Sequence, residues 1–156
     1  MVQASDTDDL VILVGMIRRD SAEDVAVNYR RVIMDCGSGN TRRYIDVSSI
    51  QAKLEVQRPG SSTALIGLHA FTGSDYTAAF FNKGKVKALK LMLESDDADD
   101  YIHAFQALSH GQPFDVEKFV CHLYGIKETD HVDAARTAKL FALAGVTKKQ
   151  FRIEDS

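Results

Sequence analysis

The sequence predicts a mixed α/β chain, with strands confined to the first sixty residues and helices through the rest. Three observations predict it. Two strand-like segments, 27–36 and 41–47, flank Gly37-Ser38-Gly39-Asn40, a connection that reads as a hairpin. From Thr63 onward, apolar residues recur at helical rather than alternating spacing. Gly111, Gly125 and Gly145 stand where those helical segments should stop, as residues that take a left-handed cap do.

Each element has its own justification. Met1-Val2-Gln3-Ala4 is too short to hold a strand alone. The acidic cluster Ser5-Asp6-Thr7-Asp8-Asp9 precedes an apolar run, 10–17, that periodicity assigns to neither helix nor strand. Side-chain oxygens in the cluster can accept the orphan N–H groups of a helix start, so a helix through about Arg19 is expected. After the hairpin, Ser48 or Ser49 would cap a short helix over 50–57, and Arg58-Pro59-Gly60-Ser61-Ser62 would form a loop. Residues 64–71 are mostly apolar and predict a buried helix. Over 85–93, Val86, Leu89 and Leu93 fall on one stripe and Lys83, Lys87 and Lys90 on another. The acidic stretch 96–100 reads as a solvated turn capping a helix over 101–108. Val116, Phe119, Val120 and Leu123, then Ala134, Ala138 and Phe141, mark two further helical stripes. Residues 1–95 form the expected core and 96–156 a helical extension of the same domain.

The 156 residues, 45% of them hydrophobic, are enough for one domain with a real core. A net charge of −3 argues against a protein that attracts polyanions as a whole, so a polyanion would be met by a local basic patch or through bound cations. Cys36 and Cys121 have neither metal-site spacing nor partners for a disulfide framework, which predicts free thiols in a reducing compartment. No secretory segment and no run of eighteen apolar residues occurs, so an intracellular protein of nucleus or cytoplasm, without a membrane partner, is expected.

Two features carry possible chemistry: Asp6-Thr7-Asp8, and Gly73-Ser74-Asp75-Tyr76 with the glycine-and-lysine turn that follows. Carboxylates suit Mg²⁺ and Mn²⁺, which take hard oxygen donors. Two such ions can activate a water and stabilise the leaving oxygen of a phosphodiester. On spacing alone such residues are more often a helix cap and a turn. His69, within an apolar helix, reads as a satisfied core histidine, and His103, His110, His122 and His131 show no ligand spacing.

Order and spacing add a resemblance. Ala4-Ser5-Asp6-Thr7-Asp8, then Arg43-Tyr44-Ile45-Asp46-Val47-Ser48-Ser49-Ile50, are followed by Leu65-Ile66-Gly67-Leu68-His69-Ala70-Phe71-Thr72-Gly73-Ser74-Asp75-Tyr76 and by Asn82-Lys83-Gly84-Lys85-Val86-Lys87-Ala88-Leu89. In this order they resemble the Glu-Asp-x-Asp segment, the next strand and helix start, the apolar helix ending in Leu-Gly-Ser-Asp-Tyr, and the Gly-x-Gly-Pro-Lys-x-Ala hairpin of flap-endonuclease (XPG-type, PIN-like) nucleases. The likeness covers about residues 4–93 and corresponds to the C-terminal portion of that nuclease domain. It is nearer still to uncharacterised animal proteins with a His-Ala-Phe-Thr-Gly-Cys-Asp motif, thought to derive from mobile elements.

The resemblance implies a partial PIN-like fold with a helix-hairpin-helix element over 80–89. It implies that Asp6, Asp8 and Asp75 hold Mg²⁺ or Mn²⁺ in a two-metal site. It also implies that Asn82, Lys83, Gly84, Lys85 and Lys87 meet the phosphates of nucleic acid, branched or duplex DNA in particular. The activity implied is structure-directed hydrolysis of phosphodiesters, as an endo- or exonuclease. Asn82 stands in place of the first hairpin glycine and Lys85 in place of the proline. The family's other acidic residues would lie before Met1. The expectation is therefore an incomplete domain, active or decayed, with a non-catalytic nucleic-acid-binding or structural remnant as the alternative.

Overall fold

Short strands at the start and helices thereafter make up the residues that the structure, a computed structural model, describes: 2–3, 6–17, 31–73 and 84–144. The fold is mixed α/β, as expected, with one three-stranded sheet and seven α-helices among the described residues. Residues 27–30 of the first expected strand, Gly145, and residues 80–83 of the expected helix-hairpin-helix element lie outside them.

The sheet is built around β2 (Ile33–Cys36), which lies between β1 (Val2–Gln3) and β3 (Arg43–Asp46). The opening residues do form a strand after all, because β2 supplies the edge that two residues cannot supply alone; Val2 pairs in parallel with Met34 and Gln3 with Asp35. The hairpin is confirmed, with β2 and β3 antiparallel from Cys36↔Arg43 to Ile33↔Asp46. Its connection is longer than expected, because a single 3-10 turn over Gly39–Thr41 fills it. Gly37 starts that turn at φ +81°, where a Cβ would lie 2.6 Å from the Thr41 carbonyl oxygen, so only glycine fits.

Helix α1 (Thr7–Met16) starts at the acidic cluster, as the capping argument requires. Its Val14 packs with Met34, Cys36 and Val47, and Leu13, Ile45, Leu54 and Leu65 surround them. This core sits on the Met34 face of the sheet.

Helix α2 (Val47–Gln57) starts three residues before its expected position. Its cap is Asp46 rather than Ser48 or Ser49; Asp46 Oδ1 accepts from the Ser49 amide at 3.1 Å and Oδ2 from the Ser49 hydroxyl at 2.7 Å. Helix α3 (Ser61–Thr72) includes Ser61 and Ser62, which were expected in a loop. Glu55 of α2 makes the difference. Its carboxylate accepts from the Gly60 amide at 2.7 Å and the Ser62 amide at 3.1 Å, and also from the Ser62 hydroxyl, so a residue of the preceding helix caps the next one.

Helix α4 (Lys85–Glu94) buries Ala88, Met92 and Leu93, while Val86 is 70% exposed. The apolar stripe is therefore turned from the expected Val86–Leu89–Leu93 line, since contact with α3 and α5 selects the 88/92 side. Lys87 and Lys90 face solvent, as expected. Helix α5 (Ala98–Ser109) takes in part of the acidic stretch: Ala98 is fully buried, and Asp99 and Asp100 occupy the first turn, where the helix dipole favours them. Tyr101, Ile102 and Phe105 are its other buried residues, and it packs along α3.

Residues 1–114 form one compact unit and 115–156 a second. In the second unit, α6 (Glu117–Leu123) buries Phe119, Cys121 and Leu123. Helix α7 (Val132–Ala144) buries Ala135, whereas Ala134 and Ala138, expected on the inner stripe, are exposed. Gly111 and Gly125 end their helices at φ +66° and +80°, as their positions predicted. Cys36 and Cys121 are free and buried, and burial pushes the Cys121 thiol up. No described helix is long and apolar enough to cross a membrane.

Candidate functional site

The acidic pair stands at the head of α1. Asp6 is the N-cap, in extended conformation, and its Oδ1 accepts from the Asp8 amide at 3.3 Å. One turn of helix thus places two carboxylates at the positive end of the α1 dipole. Asp8 Oδ1 lies 2.6 Å from Nε2 of His69, in the last turn of α3 and 61 residues away in sequence. On its other side, His69 Nδ1 lies 3.4 Å from Lys85 Nζ, at the first position of α4. The side chain of His69 is 13% exposed and that of Asp8 30%. His69 is satisfied, as a histidine in an apolar helix should be. Its partner is Asp8 of the acidic pair, however, so it belongs to the candidate site.

Gly84, Lys85 and Lys87 are described; Asp75, Asn82 and Lys83 lie outside the described residues. Gly84 caps α4 at φ −73°, and its carbonyl accepts from the Lys87 amide at 3.0 Å. That conformation suits any residue, and a Cβ built at Gly84 meets nothing within 4 Å, so neither backbone nor packing requires glycine there. Lys85 and Lys87 are exposed.

The other well-placed carboxylates in the first unit are committed elsewhere. Arg42 donates to both oxygens of Asp35 at 3.0 and 2.5 Å and lies over the Tyr44 ring, 5.5 Å from its centroid. This guanidinium holds the 5% exposed Asp35 carboxyl below the usual carboxylate range, against the opposing effect of burial. Asp46 accepts from Arg31 Nε at 2.7 Å as well as from Ser49, which lowers its carboxyl to about 2. Asp35 and Asp46 are thus ion-paired within the sheet region, and Glu55 is spent on the α3 cap. Glu23 and Asp24 lie outside the described residues.

Asp6 and Asp8 offer the hard oxygen donors that Mg²⁺ or Mn²⁺ takes, and a hydrogen bond from an imidazole to one of them suits such a ligand. Among the described residues no three acidic, histidine or cysteine groups come together as a metal-binding set. The link through His69 is the part that the sequence hid. Histidine at an apolar helix end carries no local sign of a partner at position 8. Compared with known proteins, the chain matches no protein-family model, and it has no significant match among curated proteins or solved structures.

Proposed function

We propose that the chain is a divalent-metal-dependent, structure-directed nuclease-like domain that acts on the phosphodiesters of branched or duplex DNA. Asp6, Asp8 and Asp75 are its metal-holding carboxylates, and Asn82, Lys83, Gly84, Lys85 and Lys87 its phosphate-facing segment. The observation that supports this reading best is the contact chain through His69, which brings the first acidic motif and the start of α4 to one place. When bound, Mg²⁺ or Mn²⁺ supplies an activated water and charge stabilisation at the leaving oxygen. Asp8 is oriented by its hydrogen bond from His69. Gly84, with open space where a Cβ would stand, leaves backbone accessible to a phosphate, and Lys85 and Lys87 add charge that reads no sequence.

A second reading is a non-catalytic nucleic-acid-binding module. It is favoured by the exposure of Lys85 and Lys87 at the start of α4, which can meet phosphate with no metal bound. Cleavage of labelled flap, duplex and single-stranded DNA with Mn²⁺, for wild type and Asp75→Asn, separates the two. Cleavage abolished by Asp75→Asn is the expected result. No cleavage by either protein, with gel shifts retained, transfers the assignment to the binding module. Loss of shifts as well leaves a structural protein.

A further inference from the structure

His69 uses both ring nitrogens, one toward Asp8 at 2.6 Å and one toward Lys85 at 3.4 Å. An ammonium has only protons to donate, so Nδ1 takes part through its lone pair, and Nε2 then carries the single ring proton toward the Asp8 carboxylate. The two contacts therefore specify one tautomer of a ring that is 13% exposed. A carboxylate bonded to a ring fixed in this way keeps one orientation. Outer hydrogen bonds of this kind orient metal ligands and tune their affinity.

We infer that His69 is the positioning residue of this site: it orients the Asp8 carboxylate and couples it to Lys85 at the start of α4. The inference rests on the proposed metal centre for the ion that Asp8 meets, but not for the hydrogen-bonded chain itself. It also gives Lys85 a second role, because the same ammonium that faces the proposed phosphate site holds the ring.

Two measurements on the full chain test it. Long-range ¹H–¹⁵N NMR of the histidine rings reads the tautomer with no metal present, and the paramagnetic signal of free Mn²⁺ reads ion binding. Wild-type His69 is expected to show Nε2 protonated and Nδ1 bare. Lys85→Met, a change at an exposed helix start that leaves the core intact, is expected to move the Nδ1 resonance. His69→Ala is expected to weaken Mn²⁺ binding by about tenfold. His69→Gln, whose amide N–H replaces Nε2–H toward Asp8, is expected to restore most of it, which a purely packing role would not predict. Mn²⁺ binding by His69→Ala equal to wild type overturns the positioning role, as does a ring with the tautomer mixture of free histidine. A wild-type chain that binds no Mn²⁺ yet shows the fixed tautomer and the Lys85→Met response overturns the metal centre alone and upholds the coupling.

Discussion

Asp46 is the last residue of a strand, the cap of a helix and the partner of an arginine. The Arg31 guanidinium and the Ser49 hydroxyl and amide together lower its carboxyl to about 2. A carboxyl depressed in the folded state contributes stability that is fully present above its unfolded value, about 4, and is lost as pH falls toward the folded one. Asp46→Asn keeps a competent cap residue but removes the charge. The variant is expected to be less stable than wild type at pH 7, with the gap closing between about pH 4 and pH 2. Urea midpoints measured at pH 7, 4 and 2.5 check this, and a gap that persists at the lowest pH would show that the charge is not what stabilises. The same scale shows where reading the sequence stops. The acidic residues of the first sixty positions look alike in sequence, yet Asp35 and Asp46 are consumed by Arg42 and Arg31, whereas Asp6 and Asp8 sit at a helix head. Which arginine reaches which carboxylate depends on strand register, and register is not a local property.

Among the elements, α3 and α5 meet closely at Gly67. A Cβ at Gly67 would stand 2.1 Å from the Phe105 carbonyl oxygen and 2.9 Å from Ser109 Oγ, so the helices meet backbone to backbone. Gly67→Ala must therefore push α5 away, at a cost of roughly 1–3 kcal/mol, typical of overpacking a close interface. Gly15→Ala meets the Ile66 side chain at 2.4 Å and the Ser62 carbonyl oxygen only at 3.0 Å, and it is expected to cost less, since a side chain can shift rotamer where a helix backbone cannot. Denaturant melts of the two variants give the ranking directly, and an equal or inverted order would refute the close backbone contact. Elements whose signals are local were legible in the sequence: the acidic cap of α1, the glycine-rich hairpin, and the glycine stops after α5 and α6. The starts of α2 and α3 were not, because their caps come from the end of β3 and from Glu55 in the preceding helix. Nor was the buried side of α4. Its apolar residues occupy more than one side, and only the neighbouring helices choose between them.

At the scale of the whole chain, the α/β class followed from hydrophobic period and glycine placement. The candidate site was legible only in part. Its acidic and basic motifs were visible as words in the sequence, but the histidine that joins them spans 61 residues to one partner and 16 to the other. Net charge sets the last expectation. A chain at −3 has no long-range attraction for a polyanion, so any nucleic-acid affinity must come from a few local cations. If the phosphate-facing segment contributes Lys83, Lys85 and Lys87, the logarithm of the binding constant for duplex DNA should fall with the logarithm of salt at a slope of about −2.7, near 0.9 for each phosphate neutralised. Replacing the three lysines with glutamine should flatten that slope nearly to zero, while Asp75→Asn, which removes an anion from the proposed metal centre, should leave it unchanged or strengthen binding. Titrations by fluorescence anisotropy from 50 to 300 mM salt resolve the difference. A slope that survives the triple change would place the phosphate contacts elsewhere on the chain and detach nucleic-acid binding from the α4 segment altogether.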